Sequence, residues 1–527
     1  MNALLIYPQF PDTFWSFKKA LKFVGKRAAQ PPLGLMTVAA LLPASWKKRL
    51  VDVNVERLRD RDLKLADVVL ISAMHIQRKS LTEIVERCRA LGLRTVVGGP
   101  IASSLSADKL RADHVVIGEA ESLIAELALD LERGTAKPQY QAAERPEMSL
   151  SPLPDLSLIK MKRYSTMTVQ YSRGCPFNCE FCDIIAIYGR QPRTKPVSHL
   201  LRELDQLYAG GWRGAVFIVD DNFIGNKARA KELLVALAEW RGQHRENFDF
   251  ITEASLNLAD DPQLMRLMKD AGFISVFLGI ETPDESGLIA SSKLQNTRRS
   301  LLDSVATIQS YGMQVMGGFI LGFDTDKEDI FDRMVEFIQN SGIAIAMVGL
   351  LQAMPGTQLF KRLRKEGRVL DEGHGDNTCD RLNFLPRMDS AALVAGYRSV
   401  LRRIYSSEAF YERVKLYLSR SHPKPEKRAG HRAQHQLRQR WLTRSNARAF
   451  VLSILRQGVF GRQRWSYWKF LATVATRYRH CVGSAMTLAV MGYHFQVMAQ
   501  RLSQALNPAM PQTGTEKSVP EKTSAES

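Results

Sequence analysis

The chain has 527 residues, 45% of them hydrophobic and 24% charged, with a formal net charge of +19. This is the composition of a globular protein of roughly two to four domains, and it excludes a wholly disordered or fibrous chain. Six cysteines in such a length make no disulfide framework, which points to a reducing, cytoplasmic setting, and no basic leader precedes the first apolar run.

Through residues 1–135 short apolar runs alternate with helical patterns. "ALLIYP", "LVDVNV", "DVVLIS", "RTVVGG" and "HVVIGE" read as strands, while "LGLMTVAALLP", "SLTEIVERCRALG" and "AESLIAELALDLERG" carry helical spacing. The alternation predicts an α/β, doubly wound (Rossmann-like) parallel sheet whose ligand crevice lies beyond the carboxyl ends of the strands. Gly98 and Gly99 in "GGP", and Gly118 and Glu119 in "GEAE", fall on that edge. Small residues there either let backbone approach a bulky ligand or simply make turns.

Residues 136–163 are Pro-rich and patternless, which reads as a linker. A second array fills 164–370, with strands "TMTVQYS", "AVFIVDD", "FDFITEAS", "SVFLGIE", "QVMGGFILGF" and "IAIAMVGLL". Helices are expected near 197–209, 227–241, 261–271, 297–311 and 327–341. Six such units predict a partial parallel (β/α)6 barrel with its chemistry at the carboxyl ends of the strands.

Beyond residue 370 the strands stop. Residues 371–506 read as a helical, basic domain and 507–527 as a disordered tail. Residues 401–480 hold 19 Lys/Arg against three acidic residues, so an anionic partner is expected, with a solvated basic helical face as the other reading. The uncharged segment 481–500 reads as a buried or interfacial helix rather than a membrane span.

Cys175, Cys179 and Cys182 stand four and then three residues apart in "SRGCPFNCEFCDI", directly after the first barrel strand. Structural zinc wants four protein ligands, and the next cysteine, Cys379, is almost 200 residues away. Three thiolates suit a 4Fe–4S cluster with one iron left open.

This Cys-x3-Cys-x2-Cys loop at the mouth of a barrel resembles the radical S-adenosylmethionine superfamily. The doubly wound domain ahead of it resembles the cobalamin-binding branch, over roughly residues 1–370. "YGRQPRTK", "FIVDDNFIGNK", "EASLNLADD", "GIETP" and "MPGTQL" complete a pattern similar to a group that contains bacterial hopanoid C-2 methylases. The resemblance implies three cofactors: a 4Fe–4S cluster on the three cysteines, S-adenosylmethionine on the open iron, and cobalamin on the N-terminal domain. It also implies a reaction, transfer of a methyl group through cobalamin to a saturated ring carbon after an adenosyl radical has removed hydrogen. Asp220 and Asp221 would stand near the methionyl amine, Glu253 and Ser255 near the ribose, and Glu281 near cofactor or substrate. Acidic residues at strand ends also cap helices, which is the plainer reading of each. The Asp-x-His-x2-Gly signature of a lower cobalt ligand is absent, leaving His75 as a cobalamin contact or an ordinary loop histidine.

The implied partners are a polycyclic lipid and an electron-donating reductase such as a flavodoxin or ferredoxin system; the basic surplus of 401–480 beside the uncharged 481–500 segment adds an expected peripheral contact with an anionic inner membrane, and no nucleic acid is expected. Alternatives are oxidation or cyclisation of a tetrapyrrole, a transfer-RNA methylthiotransferase, and a non-enzymatic iron–sulfur regulator that binds nucleic acid. The methylthiotransferase normally needs a second cysteine triplet, and the N-terminal domain has only Cys88.

Overall fold

The apolar runs become buried parallel strands, because a strand covered on both faces can be hydrophobic at every position. In the computed structural model, which describes residues 1–105, 107–244, 248–376, 380–421 and 444–504, they form two six-stranded sheets. The first contains β1 (Asn2–Tyr7), β2 (Lys47–Asp52), β3 (Val68–Ser72), β4 (Arg94–Gly98), β5 (His114–Ile117) and β6 (Gln139–Gln141). Their order is β2-β1-β3-β4-β5-β6, all parallel, so the direction of winding reverses between β1 and β3. Alternate residues face opposite layers. Leu4 and Ile6 pack with Leu81, Ile84 and Val85 of helix Arg78–Ala90, while Leu5 packs with Leu35, Met36 and Leu127 on the other side.

One expectation needs correction. The stretch read as a featureless linker opens with β6, a sixth strand paired along Gln139–Gln141. Its "QYQ" buries Tyr140 alone, so it is an edge strand with no apolar run to announce it.

The second sheet is built from β7 (Met167–Val169), β10 (Val216–Ile218), β11 (Phe250–Ala254), β12 (Phe273–Glu281), β13 (Gln314–Leu321) and β14 (Ile345–Leu350). These pair in sequence order, every pair parallel, as an open barrel. Between β7 and β10, the two-residue strands β8 (Ser172–Arg173) and β9 (Arg193–Thr194) pair antiparallel and close the base of the cysteine loop. Helices Val197–Ala209, Lys227–Gln243, Pro262–Ala271, Leu301–Ser310 and Ile330–Ser341 follow the strands as the sequence predicts. They cover the face formed by Val216, Ile218, Phe250, Val276, Leu278 and Val315. The alternate positions Phe217, Ile251, Glu253, Phe277 and Met316 remain only half-buried, which marks the concave interior.

The C-terminal part is helical: Ser390–Ile404, Ser407–Ser421, Arg444–Ser453, Arg464–Arg477 and Val482–Gln504. The expected tail at 507–527 lies outside the described residues, as do 422–443 of the basic stretch and Cys379. The uncharged segment 481–500 is a core helix. Phe495 stacks on Phe14 (centroids 5.2 Å apart) and on Tyr405 (5.4 Å), and buried His494 places Nε2 3.1 Å from the carbonyl oxygens of Thr13 and Phe14. Among the described residues no helix is long and apolar enough to cross a membrane.

Through these contacts the last helix holds the loop that leaves β1. Phe495→Ala should therefore destabilise the protein by about 3–5 kcal/mol, as expected for an aromatic-to-alanine cavity. Hydrogen exchange should rise across residues 10–24 as well as in the helix. Exchange confined to the helix would contradict this arrangement.

Candidate functional site

The carboxyl ends of both sheets meet at the cysteine loop. Arg173, directly before the loop, donates from Nη1 to Glu119 Oε2 at 2.6 Å and from Nη2 to Glu121 Oε1 at 2.7 Å. Arg193, directly after the loop, donates to Glu119 Oε2 at 3.1 Å. Both glutamate side chains are 2% exposed. Burial opposes the ionisation of Glu121, but the hydrogen bond and charge of Arg173 hold it below its ordinary pKa. Glu119, at the end of β5, is thus engaged as a latch between the sheets. The neighbouring Gly118 (φ +89°) has open space where a Cβ would stand, which suits backbone lining a broad ligand crevice. Gly98 ends β4. Gly99 (φ +84°) turns so tightly that a Cβ would come within 2.6 Å of Ser72 Oγ, so its role is to close the turn.

Within the loop, Cys175, Cys179 and Cys182 are held by hydrogen bonds from the Cys175 amide to Gly189 O (3.2 Å) and from the Cys182 amide to Cys179 O (3.2 Å). Burial pushes the Cys175 and Cys182 thiols up. Such thiols are protonated alone and become thiolates on binding a metal. Among the described residues no three His, Cys, Asp or Glu side chains, these thiols included, stand in a preformed metal geometry, so the fit rests on donor chemistry. That chemistry is suitable: Asn222 Nδ2 lies 3.8 Å from Cys175 Sγ, and Gln295 Nε2 lies 3.6 Å from Cys179 Sγ. Amide donors to sulfur are the contacts that tune an iron–sulfur centre.

The strand-end carboxylates divide by task. Asp220 is 1% exposed; Oδ1 accepts from the Tyr171 amide and Oδ2 from Ser172 Oγ, each at 2.7 Å. It fixes β8 beneath the cysteines. Asp221 Oδ2 accepts from the Gly174 amide at 2.8 Å. Ser255 Oγ donates to Asn257 Oδ1 at 2.6 Å and accepts from Asn222 Nδ2 at 3.2 Å. Glu281 ends β12 at a register shift and takes a left-handed backbone (φ +70°). That turn brings Oε1 to 2.7 Å from Lys293 Nζ, over Gly279, where a Cβ would stand 2.3 Å from the carboxylate.

Burial is the main cause that raises the Asp220 and Asp221 carboxyls, to about 6 and about 7. Glu253 rises to about 8, first through burial and then through the charges of Asp221 and Asp220. It retains some surface only because it faces the barrel interior. Asp221, which follows β10, and Glu253, on the adjacent β11, are not fully buried and are the two carboxyls placed to meet a cationic ligand. Beside them the interior is apolar: Glu253, Phe277 and Met316 stand in register across β11–β13, and the Trp15 ring lies 5.0 Å from that of Phe277.

Sequence reasoning missed Arg173, Arg193, Asn222, Lys293, Gln295 and Trp15. Arg173, Arg193 and Asn222 stand inside the quoted motifs without being singled out there, whereas Lys293, Gln295 and Trp15 have no local signature because each acts on a partner elsewhere in the chain. His75 is buried, pairs through Nε2 with Ser104 Oγ, and is covered by Gly375, whose Cβ position is 2.7 Å from its own. Burial lowers its pKa to about 4, so the imidazole is neutral.

Comparison with known proteins agrees with this layout. Residues 27–128 match a B12 binding domain, 169–338 the radical SAM superfamily, and 357–507 a domain of unknown function, DUF4070. An uncharacterised methyltransferase of Synechocystis is 40% identical over 96% of this chain and 94% of its own length. The hopanoid C-2 methylase of Rhodopseudomonas palustris is 34% identical over 95% and 94%. The chain belongs to the cobalamin-dependent radical S-adenosylmethionine methyltransferases. The same fold occurs in the cobalamin-dependent S-adenosylmethionine radical enzyme OxsB with aqua-cobalamin bound, at 15% identity (TM-score 0.58, covering 95% of this chain and 80% of that one). The methyltransferase's cofactors are accordingly a 4Fe–4S cluster, S-adenosylmethionine and cobalamin.

The raised Glu253 pKa has a stability consequence. Its carboxyl keeps its proton in the folded state up to about pH 8 but loses it near the ordinary value of 4.5 when unfolded. Its contribution is complete below the unfolded value and is lost as pH rises through the folded one. The cofactor-free protein should therefore melt at lower temperature as pH rises from 5 to 8. Glu253→Gln should flatten that decline and raise the pH 8 melting temperature by roughly 3 °C. Parallel curves for the two proteins would contradict the assignment.

Proposed function

We propose that the enzyme methylates an unactivated saturated carbon of a lipid, the C-2 position of a pentacyclic triterpenoid of the hopanoid class. The observation that carries this reading is the 34% identity to the hopanoid C-2 methylase along 95% of the chain, a likeness that takes in the C-terminal helices as well as both cofactor domains. The barrel interior supports it: Phe217, Phe277 and Met316, with Trp15 at the mouth, offer a rigid ring system apolar contact and exclude water from its reacting carbon.

When bound, the cluster and S-adenosylmethionine supply a hydrogen-abstracting adenosyl radical, and cobalamin relays the methyl group. The chain's own residues do the rest. Cys175, Cys179 and Cys182 anchor the cluster, with Asn222 and Gln295 donating to sulfur. Asp221, Glu253 and Ser255 line the place for S-adenosylmethionine, while Asp220 and the Glu281–Lys293 pair hold the strand ends in position. The Glu119–Arg173 latch sets the cobalamin edge against the barrel mouth. The reading also requires a low-potential electron donor of the flavodoxin or ferredoxin type and access to lipid at a membrane surface.

A second reading, methylation of a tetrapyrrole, is favoured by one relative. The bacteriochlorophyllide d C-12(1)-methyltransferase of Chlorobaculum tepidum is 26% identical over 74% of the chain. Expression in a host that makes only unmethylated pentacyclic triterpenoids separates the two. Lipid mass spectrometry should show a triterpenoid carrying one added methyl on its first ring. Unchanged lipids from cells whose extracts still release 5′-deoxyadenosine from S-adenosylmethionine would overturn the lipid reading. Trp15→Ala should lower methylation at least tenfold while uncoupled cleavage persists.

A further inference from the structure

The C-terminal helical region contains an apolar surface that the catalytic reading does not use. Val451, Leu455 and Val459 recur every four residues along Arg444–Ser453 and the π-helical turn Ile454–Val459 that continues it, so they share one side. They are 54%, 40% and 45% exposed; Phe460, the next residue, is 79% exposed and Trp465 71%. Trp468 joins the two runs by donating from Nε1 to Gly458 O at 2.9 Å, and it lies one turn beyond Trp465 on helix Arg464–Arg477. The opposite side is fixed. Ser453 and Tyr467 hydrogen-bond at 2.9 Å, and Phe470 stacks on Tyr411 at 4.5 Å. The exposed residues are therefore presented by a packed scaffold rather than by a frayed end.

Along the sequence this stretch carries charge of one sign. From Lys427 to Thr515 the chain has 14 Lys/Arg and no Asp or Glu. Arg462, Arg464 and Lys469 flank the apolar side, all exposed, and among the described residues none has an ion-pair partner. A second copy of the chain would bring like charges together across this face. Nucleic acid would meet the cations but would have no use for exposed Val451, Leu455 and Val459. Aromatic and aliphatic side chains set among unpaired arginines are the composition that lies in the headgroup layer of a membrane.

We propose that this face docks the enzyme on an anionic lipid bilayer, with Phe460 and Trp465 inserted between headgroups and Arg462, Arg464 and Lys469 paired with lipid phosphates. The lipid-substrate reading gives the docking its purpose; the evidence for the surface does not depend on it. The assignment also gives a task to the region matched by DUF4070.

Co-sedimentation of the full chain with vesicles tests it. Binding is expected to vesicles containing phosphatidylglycerol, to fall steeply as salt rises, and to be far weaker on pure phosphatidylcholine. Replacing Phe460 and Trp465 together by Ser should weaken partitioning at least about tenfold. Replacing Arg462, Arg464 and Lys469 by Gln should weaken it about a hundredfold at low salt, roughly fivefold for each charge. Both variants should keep the wild-type circular dichroism spectrum and melting temperature, which shows that they fold. Equal binding of wild type and both variants, or no binding to phosphatidylglycerol vesicles at low salt, would overturn the proposal. So would dissociation of a dimer by the aromatic variant with vesicle binding intact, or retention on RNA in place of vesicles. Vesicle binding by a protein that fails to methylate detergent-dispersed triterpenoid would leave the docking surface standing and remove the substrate reading. Methylation in detergent without vesicle binding would do the reverse.

Discussion

Arg173 and Arg193 bracket the cysteine loop, and both reach across to Glu119 on the other sheet. Removing these charges from water is costly, and only close pairing offsets that cost. The cluster therefore forms when both sheets are folded and their carboxyl edges face one another. The arrangement fixes the crevice of the first sheet, the cysteine loop and the barrel interior relative to one another. A loop anchored at both ends by the same glutamate cannot shift relative to that crevice without exposing a buried charge.

The latch is supported on two further sides. Tyr164, just ahead of β7, donates to Asp52 at the end of β2 (2.9 Å), and backbone bonds link residues 27–29 with 163–166. The loop leaving β1 is held from below by His494 and Phe495, and it places Trp15 against Phe277. One segment of the first domain thus touches both the C-terminal helices and the barrel mouth. Through that segment the C-terminal helices are tied to the barrel mouth.

Much of this was legible in the sequence, for a physical reason. Strands covered on both sides, such as Ile345–Leu350, are apolar throughout, and amphipathic helices between them keep their period. The spacing of the three cysteines pointed to a cluster, and the structure places all three on the one loop closed by β8 and β9. What was not legible depends on partners far apart in the chain: Glu119 with Arg173, Glu281 with Lys293, Gln295 with Cys179. The strand β6 was hidden because it is short and polar. The uncharged segment 481–500 showed that apolarity alone does not distinguish a core helix from an interfacial one. Burial decided it, and exposure moved the candidate membrane contact to the stretch around Phe460 and Trp465.

The central claim is that Cys175, Cys179 and Cys182 hold a 4Fe–4S cluster that cleaves S-adenosylmethionine. Its most direct test is iron and sulfide analysis of anaerobically reconstituted wild type and Cys179→Ala, together with 5′-deoxyadenosine release under a strong reductant. The account predicts about four irons and four sulfides per wild-type chain with release of the nucleoside, and loss of both in the variant. Full cleavage by Cys179→Ala would contradict it.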